Sequence, residues 1–212
     1  MNSSLTFSLL FFAVIRDSSL ILLPLLLLAE LCVRSSARPA PRSALCGLLR
    51  PMIHQVDGLS GLSHKLHHLT KDELANFEAA EYRLDGLPHF EQTFIHFSSM
   101  QLNQSLSQLL LYTQAFRLHA DWLIKAKENV SLPSRAAEGA STHLLQLSTL
   151  INASLHQMGE EAPQLAPPSL PAVSTAFDVL RFSVEFSNRL QRFCHWSKRV
   201  LGHLQRRSCP RR

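Results

Sequence analysis

Eleven histidines, sixteen carboxylates and four cysteines are the side chains of this 212-residue sequence that could act as ligands, acids, bases or nucleophiles. His64 with His67 or His68 has the spacing that lets two imidazoles on one helix face pinch a divalent cation. Nothing nearby supplies an acidic or thiolate third ligand, so solvated surface histidines are the expected reading and no metal site is assigned. Asp72-Glu73 and Glu160-Glu161 are paired acids beside predicted loops, where charge solvates. The sequence holds no Gly-rich phosphate loop, no Gly-x-Ser-x-Gly elbow, no Cys-x-x-Cys pair and no His-Glu-x-x-His. No catalytic constellation and no cofactor site emerge. A chain of this kind works by presenting surfaces to a partner.

The charge distribution narrows that partner. The net charge is +5, yet Lys198, Arg199, Arg206, Arg207, Arg211 and Arg212 alone supply six positive charges with no acid among them. The rest of the chain is close to neutral. A nucleic-acid binder spreads Lys and Arg along a face or groove, and this pattern does not. Residues 206–212 read instead as a basic tail, suited to retention on heparan sulfate.

Modification signals point outside the cell. Leu5–Ile15 and Leu20–Ala29 are short apolar runs split by Arg16-Asp17 and followed by small residues, the pattern of a signal peptide. Cleavage is expected near Ala37, which makes 1–37 the signal peptide, removes Cys32 and leaves a short leader, 38–45, before a domain spanning 46–205. The rival reading is an uncleaved anchor over Leu5–Ala29, disfavoured by the cost of a charged pair in mid-bilayer. Three Asn-x-Ser sequons follow, at Asn103, Asn129 and Asn152. Asn129 is expected in a turn and is the favoured glycosylation site, while Asn103 and Asn152 fall inside predicted helices.

These features need elements to position them. Apolar residues at 45, 48, 49, 52, 53, 56, 59, 62, 66 and 69 mark one face of a first helix, with Pro51 near its first turn or at a kink. Leu102 to Ile124 carries a second stripe and Ala140 to Met158 a third. The fourth follows Pro171 and Ser174, with Phe177, Leu180, Val184, Cys194, Leu201 and Leu204 on one side. No alternating β-branched segment competes, so the fold class is all-α. The connections run long, short, long: Thr70–Ser99, Glu128–Arg135 and Gly159–Val173. A short loop forces antiparallel neighbours, whereas a loop spanning the bundle makes neighbours parallel. The expected architecture is a long-chain four-helix bundle, up-up-down-down, with two long crossover loops.

That topology selects a disulfide. The first and last helices run antiparallel, so Cys46 at the start of one lies beside Cys209 just past the end of the other. Cys194 sits some ten residues earlier, about 15 Å along the axis, beyond the roughly 7 Å between α-carbons that a bridge tolerates. Cys46–Cys209 is the expected pair, with Cys194 a buried free thiol.

Four fragments resemble a known family. Leu84-Asp85-Gly86-Leu87-Pro88 is similar to a Leu-Asp-Ser-Leu-Pro in the first crossover of the interleukin-6 family of long-chain helical cytokines. Phe116 with Trp122-Leu123 resembles the end of that family's second helix, and Leu165-Ala166-Pro167-Pro168-Ser169 its Pro-rich second crossover. Phe177, Arg181, Trp196, Arg199 and Leu201 stand at the spacings of Trp, Arg, Trp, Arg and Leu in its last helix. The resemblance implies a secreted ligand that binds a specific alpha receptor and the shared receptor glycoprotein 130, activating Janus kinases and STAT factors. It implies that Arg199 meets the alpha receptor, together with the end of the first crossover. A second surface, on the first and third helices, would meet glycoprotein 130, and a tip surface anchored by Phe177 would meet another copy. Phe177 departs from the family's Trp, keeping the apolar wedge but losing the indole N–H; from periodicity alone it reads as a core residue. Trp122 and Trp196 are expected at the core or its edge. A lipid or membrane-surface binder made of amphipathic helices is the alternative class, and an enzyme is the least expected.

Overall fold

The computed structural model describes residues 41–78, 84–90 and 101–209. The signal-peptide reading of 1–37, with Cys32, and the arginines at 211 and 212 lie outside the described residues. Five helices are present among the described residues, and no strand. They are α1 (Pro41–Ser63), α2 (Lys71–Glu78), α3 (Leu102–Asn129), α4 (Arg135–Gln157) and α5 (Ala176–Ser208). The all-α expectation holds.

Side-chain contacts set the direction of each helix. Along α1 and α5, Cys46 meets Cys209, Asp57 meets Lys198, and Ser63 meets Ser187, so the two run antiparallel. Along α3 and α5, Tyr112 meets Trp196, Phe116 meets Phe193 and Phe186, and Trp122 meets Phe182. That pair is antiparallel as well. Gln55 against His143, and Leu62 against Gly139, oppose α1 to α4; Asp121 against Ser141, and Asn103 against Glu160, oppose α3 to α4. Helices α1 and α3 each pack on both α4 and α5, while α1 and α3, like α4 and α5, face one another across the diagonals. Two parallel diagonals with antiparallel sides are the up-up-down-down bundle.

The core follows from the stripes. Leu49, Met52, Val56 and Leu59 of α1 meet Leu144, Leu147 and Ile151 of α4 and Phe186, Leu190, Phe193 and Leu201 of α5 within one cluster that also takes Leu106 to Leu123 of α3. Phe116 and Phe193 stack with centroids 4.7 Å apart at its centre. A buried Phe of this kind is worth about 3–5 kcal/mol when truncated to Ala.

Local chemistry moves several boundaries. Helix α1 begins at Pro41, five residues ahead of Cys46, so Pro51 lies in its interior rather than its first turn. The missing N–H would have bonded the carbonyl of Gly47, and both residues are exposed, so water can serve that carbonyl. The helix stops at Ser63, short of the expected Leu69: turn bonds from Lys65 to Leu62 and from Leu66 to Ser63 replace the helical ladder, and His68 takes φ 56°. The first crossover contains α2, an element beyond the four helices expected. Its start is a reciprocal cap in which Thr70 N–H donates to Glu73 Oε2 (2.8 Å) and Glu73 N–H to Thr70 Oγ1 (3.3 Å). Asn129 is the last residue of α3, not part of a turn, and the reversal follows at Val130 and Ser131, the latter with φ 57°. Thr175 caps α5 by accepting from Asp178 N–H (3.1 Å). The last helix runs to Ser208, so Arg206 and Arg207 belong to its final turn.

Two histidines are tied into the packing. His143 on α4 points at α1, where its Nδ1 is 2.7 Å from Gln55 Oε1 and its ring lies over Gly58; a Cβ at Gly58 would come within 2.6 Å of the ring. His67, expected to be solvated, is buried, and its Nδ1 accepts from Leu69 N–H (3.1 Å). The turn that ends α1 folds this residue back beneath the bundle. Burial, followed by neighbouring positive groups (His64, His68 and Lys127 at His67; His54 at His143), pushes both imidazoles below their ordinary 6.5. Burial pushes the free thiol of Cys194 up to about 12.

Cys46 and Cys209 form a disulfide, Cα–Cα 5.7 Å, closing a separation of 163 residues, and Cys194 is free and buried. Peptide mapping is expected to return Cys46–Cys209, with Cys194 alkylated only after unfolding, and loss of the bridge in Cys209→Ser should cost about 2–5 kcal/mol in a denaturant titration. A Cys46–Cys194 bridge would contradict this arrangement. Because the unfolded chain protonates His67 and His143 more readily than the folded one, their contribution is complete above the ordinary 6.5 and is lost as pH falls through it, down to the lowered folded values. Thermal melts between about pH 7.5 and pH 5.5 should show this slope, and His67→Gln with His143→Gln should flatten it.

Candidate functional site

Two side chains singled out by sequence, Phe177 and Arg199, are exposed far apart along α5. Arg199 is exposed on its C-terminal half, and Trp196, one turn earlier, is half-buried. Trp196 sits 5.5 Å from the ring of Phe90 and 5.2 Å from that of Tyr112, while Phe90 also touches Phe116 and Phe193. An aromatic cluster thus joins the first crossover, α3 and the turn of α5 that precedes Arg199. The expectation that Trp196 lies at the core edge holds.

The crossover segment 84–90 is held down by side chains from the helices it crosses. Leu84 and Leu87 are buried. Between them Gly86 takes φ 86°, and a Cβ there would lie 2.7 Å from Pro168 Cβ, so the Leu-Asp-Gly-Leu-Pro motif and the Pro-rich second crossover touch at a point that admits only glycine. Arg189 Nη1 donates to Leu87 O (3.2 Å). The buried ring of His119 spans Ala115 O (2.8 Å, from Nδ1) and Asp85 O (3.0 Å, from Nε2). Trp122 Nε1 donates to Pro171 O (3.2 Å), which fixes the second crossover against α3. The fragments that are far apart in sequence are therefore neighbours on the α3–α5 face.

Phe177 stands in the first turn of α5 and is 59% exposed, so it is not a core residue. The buried stripe of α5 starts only at Val179, two residues later and on the opposite side of the helix. Its ring lies 5.4 Å from that of Phe77 on α2, and the Arg181 guanidinium sits 5.5 Å from its centroid. Arg181 also approaches Asp178 at 3.9 Å. Phe77 and α2 were missed in the sequence, although Thr70-Lys71-Asp72-Glu73 is a capping-box signal followed by Leu74 and Phe77 at helical spacing. Twenty-two residues of helix separate Phe177 from Arg199, about 33 Å.

The remaining candidates lie elsewhere. Asn103 is half-buried at the start of α3, its Nδ2 donating to Glu160 Oε1 (2.9 Å); Asn129 is exposed at the end of α3; Asn152 is half-buried on α4. His64 and His68 are exposed while His67 is buried, and no group of three or more metal-binding side chains occurs among the described residues. No described helix is long and apolar enough to cross a membrane.

Among models of known protein families, that of interleukin 11 matches residues 39–208. Neither the curated proteins nor the solved structures offered a match. The matched range takes in all five helices and the disulfide-bearing start of α1. The chain belongs to the interleukin 11 family, a family of cytokines.

Proposed function

We propose that this cytokine is secreted after removal of residues 1–37, binds an interleukin-11-type alpha receptor, and recruits glycoprotein 130 to activate JAK/STAT signalling that regulates proliferation and differentiation. The observation that carries the reading is the placement of Arg199 and Phe177: both are exposed, on one rigid helix, about 33 Å apart. One rod presenting two separated anchors can engage two receptors without either blocking the other.

At the C-terminal end, Arg199 beside the Phe90–Tyr112–Trp196 cluster offers a planar cation next to an aromatic platform. A guanidinium pairs bidentately with a receptor carboxylate, and interface energy concentrates in such Arg and aromatic residues. At the other end, Phe177 and Phe77 make an apolar pair that water solvates poorly, a wedge for glycoprotein 130. The seam of α1 and α4 is the surface for another glycoprotein 130 contact. Asn129, exposed at a helix end, accepts a glycan without disturbing packing. Arg206 and Arg207, exposed in the last turn of α5, begin the basic tail that tethers the ligand to heparan sulfate.

The decisive measurement is STAT phosphorylation in cells carrying glycoprotein 130, with and without the alpha receptor, after addition of the secreted protein. Arg199→Glu should weaken alpha-receptor binding by about 30-fold or more, corresponding to roughly 2 kcal/mol, with an unchanged circular dichroism spectrum; unaltered affinity defeats the assignment. Phe177→Ala should bind the alpha receptor normally and signal less, and full signalling from that variant would remove Phe177 from the interface.

A further inference from the structure

A cleft of about 550 Å³ opens between α3, α4 and the start of the second crossover, on the side of α4 turned away from α1. Arg117, Asp121 and Asn152 form its polar wall; Leu118, Pro163 and Leu165 its apolar one. Two polar atoms in that wall, Arg117 Nε and Asn152 Oδ1, are buried without a hydrogen-bond partner. Asp121 Oδ2 stays 3.7 Å from Nε, too far to accept from it. A buried donor and a buried acceptor left unmade are each costly. Among the described residues Leu118 is also one of four large apolar side chains left exposed. The volume falls in the range of about 300–1,000 Å³ typical of small-ligand sites.

Asn152 is itself the first residue of Asn152-Ala153-Ser154. We propose that Asn152 carries an N-linked glycan and that the first N-acetylglucosamine of this glycan lies in the cleft. The sugar matches the wall on both counts. Its hydroxyl and acetamide groups supply a donor to Asn152 Oδ1 and an acceptor to Arg117 Nε, and its C–H face covers Leu118 and Leu165. Tethering to the wall gives it a high effective concentration there, which a free saccharide lacks.

Attachment precedes folding, because Ser154 is fully buried and its hydroxyl donates to Leu150 O (3.0 Å) in the finished helix. The donor is a lipid-diphosphate-linked oligosaccharide met on entry to the secretory compartment. Asn152 Nδ2 forms a bond to the anomeric carbon as the bond from that carbon to the diphosphate oxygen breaks. The lipid diphosphate leaves with the electron pair, and Nδ2 gives up one proton. The inference rests on the secretory reading above.

The test uses the full chain expressed in cells that make only high-mannose glycans, carrying Asn103→Gln and Asn129→Gln in one arm. Glycopeptide mass spectrometry is expected to find Asn152 occupied. Trimming by endoglycosidase to a single N-acetylglucosamine should leave Tm unchanged, whereas Asn152→Gln, the stripped form, should lower it by about 2–4 °C. Arg117→Ala should abolish the difference between trimmed and stripped protein. Secreted chain with Asn152 bare, or trimmed and stripped forms that melt together, overturns the proposal alone. A chain retained inside the cell with all three sequons bare in the parent sequence overturns the secretory reading, and this inference with it.

Discussion

Burial of the apolar stripe of α5 is the constraint on which the molecule depends. At 33 residues this helix is the longest of those described, and α1 covers one flank of it, α3 the other, with the aromatic cluster around Phe116 and Phe193 at the centre. A helix with one apolar stripe needs two neighbours to hide it. Two such neighbours, each needing a second partner of its own, are served by a single further helix, α4, and a square bundle results. Its sides are antiparallel because the short 130–134 link reverses the chain between α3 and α4, while the long crossovers carry it back along the bundle before α3 and α5 begin.

Outside α2, the described parts of the crossovers gain order from side chains of the helices they cross. Backbone carbonyls that cross a bundle in extended form still require donors. His119 reaches Asp85, Arg189 reaches Leu87 and Trp122 reaches Pro171, so three helical side chains serve three crossover carbonyls. Close approach at Gly86 and Pro168 then locks one crossover against the other. The residues through which the fragments at 84–88, 116–123 and 165–169 resemble a family are thereby the residues that fasten the connections. Their spacing reports architecture first, whereas Arg199 is exposed on the surface of α5.

The disulfide and two histidines, buried His67 and half-buried His143, occupy complementary places. Cys46–Cys209 ties the second turn of α1 to the residue that follows α5. His67 and His143 lie where α1 turns away and where it meets α4, sites at which a polar ring fills space beside small residues such as Gly58. Desolvation there disfavours the charged rings, so the same packing that seats them makes the fold sensitive to acid.

Much of this was legible from the order of residues alone. The four apolar stripes, the long-short-long connections and the Cys46–Cys209 pairing follow from helical period, chain length and the reach of a disulfide, which are local or nearly local properties. What required the tertiary structure was whatever depends on register between elements. Periodicity put Phe177 on the core side of the last helix, but the buried stripe that the docked helices cover runs from Val179 along the opposite face, and Phe177 meets Phe77 outside it. His67 looked like a surface residue because nothing in its neighbourhood shows that the chain doubles back after Ser63. The cleft beside Asn152 exists only because α3, α4 and the crossover leave a gap between them. A stripe records which face of a helix is apolar, whereas how far along that face a neighbour extends is settled when the helices dock.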